Sequence, residues 1–170
     1  TAQMKTAATF VDEGWSTNFW NLEDDAYPTL KGPNSPPTGL DLSVSSVAEN
    51  QAVGTTVGEF NAIDVDEDDT HTFTLVQGED SQHNNLFNIE PDGTLKTAAL
   101  LDHEANATLN IRVQAKDGQD TTFEKAFVIT VTNVNEAPTD LALDNATIAE
   151  NGEADAVVGK FTLTDPDGSA

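Results

Sequence analysis

From Gly39 onward, apolar and polar residues alternate with period two, the pattern of strands that bury one face and wet the other. Leu40, Leu42 and Val44 alternate with Asp41, Ser43 and Ser45, and Leu109, Ile111, Val113 and Ala115 alternate with Asn110, Arg112, Gln114 and Lys116. A last run holds Phe123, Phe127, Ile129 and Val131, with Lys125 out of phase. Shorter candidates lie at Thr56–Ile63, Thr70–Val76, Leu86–Ile89 and Thr94–Thr97. Turn formers separate them: Gly78-Glu79-Asp80, Pro91-Asp92-Gly93 and Asp117-Gly118. No stretch carries a convincing helical period. Seven short strands in about 100 residues predict an all-β fold, a Greek-key β-sandwich of the immunoglobulin type.

The pattern then starts again. Pro37-Thr38-Gly39-Leu40 returns as Pro138-Thr139-Asp140-Leu141, and at the same offset of 101 positions Ala48-Glu49-Asn50 becomes Ala149-Glu150-Asn151. Phe60 becomes Phe161, and Asp64-Val65-Asp66 becomes Asp165-Pro166-Asp167, with no gap. A fixed internal period is the signature of a repeat array. The second copy holds only the opening strands, so it cannot close a two-sheet core by itself. It is expected to be partly ordered, or held up by other strands. The start at Thr1 and the stop at Ala170, partway through the second copy, lead us to expect a piece of a longer protein whose export signal or anchor lies elsewhere.

Charge narrows the function. Thirty acidic residues against seven basic ones give a net charge of −23. Such a chain cannot neutralise phosphates, which excludes nucleic acid, and it is not drawn to anionic lipid. Cysteine is absent, so disulfides and thiolate metal sites are excluded. No apolar run is long enough to span a bilayer. The acids gather where predicted strands end: Glu49, Asp64 with Asp66, Asp102 with Glu104, Asp117, and Glu136 beside Asn135. Calcium takes six to eight hard oxygens at about 2.3–2.6 Å. One strand end cannot supply that many, but the facing ends of two stacked sandwiches can.

Ala48-Glu49-Asn50, Asp64-Val65-Asp66, Leu101-Asp102-His103-Glu104, Ala115-Lys116-Asp117 and Asn133-Val134-Asn135-Glu136-Ala137-Pro138 follow one another in a recognisable order. They resemble the x-E-N, D-x-D, L-D-x-E, A-x-D and D-x-N-D/E-x-P motifs of a cadherin repeat. The resemblance implies one repeat over residues 38–138 and a truncated second over 139–170. It also implies a calcium junction between them, held by Glu49, Asp102, Glu104, Asn133, Asn135, Glu136, Asp165 and Asp167. Asp64, Asp66 and Asp117 would face upstream, toward whatever precedes the repeat. Asn133 stands where the family commonly has aspartate, which removes one charge. The linker is one residue shorter than in animal cadherins, as in bacterial relatives. Asn34 and Ser35 occupy the upstream positions that match Asn135 and Glu136, and the adhesive strand-swap tryptophan has no counterpart. Glu67, Asp68 and Asp69 read as a solvated turn.

Residues 1–31 differ in character and hold Trp15, Trp20 and Tyr27. The Gly-Trp, the second Trp and the Tyr27-Pro28-Thr29-Leu30 ending resemble the close of a GLUG-type β-solenoid of large bacterial surface proteins. Residues 32–37 read as a Pro-rich, stiff linker. Trp15 and Trp20 are expected to cap the solenoid; a sugar-stacking platform is the alternative, and would make this a carbohydrate-binding accessory of a secreted polysaccharide-degrading enzyme. The paired acids lack the cleft that glycoside hydrolysis requires, and His71, His83 and His103 lack zinc-like spacing. His103 is expected to be exposed, and no enzyme is expected here. The sequons Asn106-Ala107-Thr108 and Asn145-Ala146-Thr147 carry little weight in a protein resembling bacterial ones. The sequence therefore predicts a calcium-binding structural and adhesive module, extracellular or cell-surface. Its partners would be neighbouring repeats and a surface protein or glycan.

Overall fold

The computed structural model describes residues 33–66 and 68–168, together with the backbone pairing of β1 (Trp20–Asn21) with β2 (Thr29–Leu30). The chain divides into two compact units, Thr1–Ser35 and Pro36–Ala170. In the first, β1 and β2 run antiparallel with Trp20 opposite Leu30. The expected solenoid cap and the Trp15 and Trp20 platform otherwise fall outside the described residues.

The second unit carries the predicted sandwich. One sheet has the order β3 (Gly39–Leu42), β5 (Thr56–Ile63), β8 (Thr94–Thr97), β7 (Phe87–Ile89). The other has the order β4 (Ser46–Ala48), β10 (Thr122–Thr132), β9 (Thr108–Lys116), β6 (Thr72–Leu75). Among the described residues there is no α-helix, only a short 3-10 turn at Asn84–Leu86. The alternation in β9 is strict: Leu109, Ile111, Val113 and Ala115 are buried, and the residues between them are not. They meet Leu40, Phe60 and Leu95 of the facing sheet. Phe60 anchors an aromatic cluster, its centroid 5.3 Å from that of Phe127 and 5.9 Å from that of Phe73.

Two departures from simple alternation have physical causes. The first predicted strand divides, because after Leu42 the chain crosses from one sheet to the other. β3 pairs antiparallel with β5, whereas β4 pairs parallel with β10, Ser46 opposite Thr130. Val44 sits at the crossing and is exposed rather than inward. The crossing needs a close backbone approach at Gly58, where a Cβ would lie 2.5 Å from the Val44 carbonyl oxygen, and the pairing of β5 with β8 shifts register there. Lys125, out of phase in the sequence, turns its ammonium onto the Leu40 carbonyl at 2.7 Å and lies 5.1 Å from the Phe127 ring centroid.

The 3-10 turn extends the β9 pairing beyond the end of β6. The Asn84 amide donates to the Val76 carbonyl at 2.8 Å and its oxygen accepts from the Arg112 N–H at 3.0 Å, so a side chain stands in for a strand. Next to it the Asn110 N–H donates to His83 Nδ1 at 2.9 Å.

Residues 139–168 form a ribbon of β11 (Asp140–Leu143) and β12 (Phe161–Thr164). Its register, Leu141 opposite Leu163 and Leu143 opposite Phe161, reproduces that of β3 with β5 at the repeat offset. Gly159 repeats the close approach of Gly58, a Cβ there lying 2.2 Å from the Asn145 carbonyl oxygen. As the sequence predicts, no core closes over it: Leu141 and Phe161 are 61% and 67% exposed, against 0% and 6% for Leu40 and Phe60.

Because the crossing depends on backbone contact, Gly58→Ala should cost about 1–3 kcal/mol, the range for forcing atoms into packed space. Gly118→Ala, whose Cβ would meet only Thr70 Oγ1 at 4.0 Å, should stay within about 0.5 kcal/mol of wild type. Urea unfolding of both variants in chelator measures the difference.

Candidate metal centres

Glu49 follows β4 directly, and its carboxylate is fully buried. Oε1 accepts the Val134 N–H at 2.7 Å and Oε2 accepts the His103 N–H at 2.8 Å. Those two amides, from the linker and from the loop before β9, hold the carboxyl below its ordinary range. The same loop folds on itself: Asp102 Oδ1 accepts the Ala105 N–H at 2.9 Å, and His103 Nδ1 donates to the Val131 carbonyl at 2.6 Å. His103 is therefore half-buried and structural, not the exposed residue expected. The outcome is a group of three carboxylates, Glu49, Asp102 and Glu104, whose oxygens lie within 4.8 Å of one another.

The linker reaches this group through Val134 and Asn133, whereas Glu136, Asp165 and Asp167 are not among the converging three. Asn133 Nδ2 donates to Glu104 Oε1 at 2.9 Å, and Asn50 Nδ2 donates to Glu136 Oε1 at 2.7 Å. The Glu136 N–H donates to Asp167 Oδ2 at 2.6 Å, and the Asp167 N–H to Asp165 Oδ1 at 3.1 Å. Asn135 turns its amide to the Glu136 carbonyl at 3.0 Å. Asp167 Oδ1 is shut off from solvent and has no hydrogen-bond partner. Desolvation first, then the charges of Glu49 and Asp167, push the Glu104 carboxyl above its ordinary value of 4.5. Among the described residues no lysine or arginine pairs with these carboxylates; the ion pairs lie elsewhere, as at Arg112–Glu124 and Lys125–Asp41. A buried, unpartnered carboxylate oxygen among like charges is costly unless a cation joins it. All-oxygen donors of this kind fit calcium.

A second group gathers Asp64, Asp69 and Asp117 at the other end of the repeat. Asp64 Oδ1 accepts the Asp66 N–H at 3.1 Å, and His71 Nε2 lies 3.0 Å from its Oδ2; the two contacts lower its pKa in that order. Asp117, 4% exposed, accepts the N–H groups of Gln119 and Thr121 at 2.9 and 2.8 Å, and the Thr121 hydroxyl as well. Asp66 presents its carbonyl to the Asp69 N–H at 3.0 Å and is not one of the converging three.

Asp69 corrects the sequence reading. It is no solvated turn residue: its Oδ2 is buried without a partner, and desolvation, then Asp117, Asp66 and Asp64, raise its pKa. Asp68 is exposed as expected, and Glu67 lies outside the described residues. The signal available was a third acid, Asp69, three residues after the Asp64-Val65-Asp66 motif and directly before Thr70-His71.

The opposite shifts predict opposite mutant signs in chelator. Glu49 has a depressed pKa, so its contribution is present above 4.5 and lost as pH falls; Glu49→Gln should lower the melting temperature at pH 7, on the order of 5 °C. Glu104 has a raised pKa, so its ionised form costs stability as pH rises past 4.5. Glu104→Gln should therefore melt at or above wild type at pH 7, the gap closing toward pH 4. Melts of both variants across pH check the signs.

Comparison with known proteins places this geometry. A model of the cadherin domain matches residues 43–132. The chain is 38% identical over 78 residues to protein dachsous of Drosophila melanogaster, covering 44% of this chain and 2% of that one. It is 30% identical over 142 residues to human protocadherin Fat 4, covering 79% and 3%, and 29% identical over 128 residues to human protocadherin beta-1, covering 72% and 16%. The chain thus spans only 2–16% of the length of these relatives. Among solved structures, PcdhgB3 EC1-4 matches at TM-score 0.61 and 25% identity over 82% of this chain and 35% of that one. Human protocadherin-24 EC1-2 shares the fold at TM-score 0.60, with 19% identity over 77% of this chain and 61% of that one. With the sandwich, the motif order and these matches in agreement, the chain belongs to the cadherin family, an adhesion class without enzymatic activity.

Proposed function

We propose that this chain is a calcium-stiffened segment of an extracellular repeat array, in which the ion fixes the angle between consecutive repeats. Glu49, Asp102 and Glu104 would hold calcium from the first repeat, Glu136, with Asn133 and Asn135 beside it, from the linker, and Asp165 and Asp167 from the second. The observation that carries this reading is the convergence of three carboxylates beside Asp167, whose buried Oδ1 has no partner. Without a cation, repulsion among these groups opposes closure of the linker; a divalent ion removes the repulsion and gives the orphaned oxygen a ligand.

In the same reading the chain divides into a repeat over 38–138 and the start of another over 139–170, preceded by residues 1–31 as the end of a solenoid and 32–37 as a linker. The repeated register of β11–β12 supports the second repeat. The aromatic motifs of residues 1–31 alone support the solenoid and a bacterial surface protein as parent. Asp64 and Asp117, with Asp69 and with Asp66 behind them, would form an upstream-facing site. Neighbouring repeats are the primary partners, and a surface protein or glycan would be the adhesive target. Membership of the cadherin family supports the extracellular location.

A thermal melt with calcium raised from chelator excess to about 10 mM tests the reading. Extracellular modules bind calcium at about 10⁻⁴–10⁻³ M, so each ion at tenfold its Kd should add about 1.4 kcal/mol. The melting temperature should climb in wild type and climb less in Asp102→Ala/Glu104→Ala, which keeps only the Asp64, Asp69 and Asp117 group. A flat wild-type response up to 10 mM contradicts calcium binding.

A further inference from the structure

The hydrogen bond from Asn50 to Glu136 joins residues 86 positions apart in sequence. Asn50 sits in the turn after β4 with a positive φ of 59°, in the left-handed region that asparagine tolerates and most residues avoid. That backbone sends its amide N–H to the Leu101 carbonyl, at the start of the Asp102–Glu104 loop. Its side chain goes the other way, to Glu136 Oε1 at 2.7 Å. Glu136 in turn donates its N–H to Asp167 of the second repeat. A chain of contacts therefore runs from the β4 turn, through the linker carboxylate, into the next repeat.

We infer that Asn50 is a positioning residue for the cation junction: it presents the Glu136 carboxylate to the ion without neutralising it. The inference rests on the calcium junction proposed above. A lysine or arginine at this position would pair with Glu136 and compete with the ion. A neutral amide occupies one lone pair of Oε1, fixes the orientation of the carboxylate and leaves its full charge and the whole of Oε2 available. The side chain must also suit a left-handed turn, and asparagine meets both demands. The backbone half of this arrangement recurs at Asn151, at the repeat offset, with a φ of 58°. Glu136 adopts its place through this bond and its own backbone, since no cationic side chain pairs with it among the described residues.

Asn50→Gly separates the two roles, because glycine takes the positive φ freely and removes only the amide. Calcium titration by isothermal calorimetry on the 170-residue chain should show Asn50→Gly weakened about 2- to 10-fold, the range one net hydrogen bond commands. Its melt in chelator should match wild type. Asn50→Ala should lose affinity and, in addition, melt lower in chelator because the turn is strained. On a Glu136→Ala background, Asn50→Gly should change the affinity no further. Equal affinity for wild type and Asn50→Gly overturns the inference while the junction stands, as does a further loss on the Glu136→Ala background. A wild type whose titration matches that of Asp102→Ala/Glu104→Ala overturns the junction, and the inference with it.

Discussion

The buried carboxylate of Glu49 is the constraint from which the rest of the junction follows. It has no cationic partner; it is held by two backbone N–H groups, one from the loop at His103 and one from the linker at Val134. Those bonds bring the end of β4, the Asp102–Glu104 loop and the start of the linker to one place. The same convergence sets the exposed Glu104 beside Glu49, where desolvation and then the Glu49 charge raise its pKa. The repeat is thus built to accept positive charge at its end. In the proposed reading calcium would complete the arrangement rather than create it, since Glu49 is already oriented by two backbone N–H groups.

The second repeat separates local from distant causes. Its ribbon repeats the register of β3 with β5, the close approach at glycine, the left-handed asparagine and the Asp165–Asp167 turn, all without a closed core. These features are written in short stretches of sequence and need nothing beyond their neighbours. Burial of Leu141 and Phe161 needs strands that would correspond to β8, β9 and β10. The ribbon keeps the correct turns while Leu141 and Phe161 stay exposed.

The same distinction explains what the sequence made legible. Period-two alternation exposed β9 and β10, and turn formers on either side marked out β5 and β8, because both signals are local. The motif order exposed Glu49, Asp102 and Glu104 as a set. The crossing at Val44 was hidden, because it depends on Gly58, fourteen residues away and glycine for a contact that no alternation encodes. Asn84 was hidden because its amide imitates a strand's backbone, a role without a pattern. Asp69 was hidden for a different reason: three acids in a turn look solvated, and only the fold shows that one of them points inward toward Asp64 and Asp117. His103 followed suit, its ring drawn in by the Val131 carbonyl.

The central claim is that the cation fixes the linker. The absence of cysteine allows a pair of spin labels to be placed cleanly at Thr130, on the outer face of β10, and Thr162, on β12. Pulsed electron spin resonance then gives the distribution of distances between repeat and ribbon. In chelator the distribution should be broad, and calcium at about 10 mM, above the Kd range of extracellular modules, should collapse it to a narrow one. A distribution equally wide, or equally narrow, under both conditions would contradict the account.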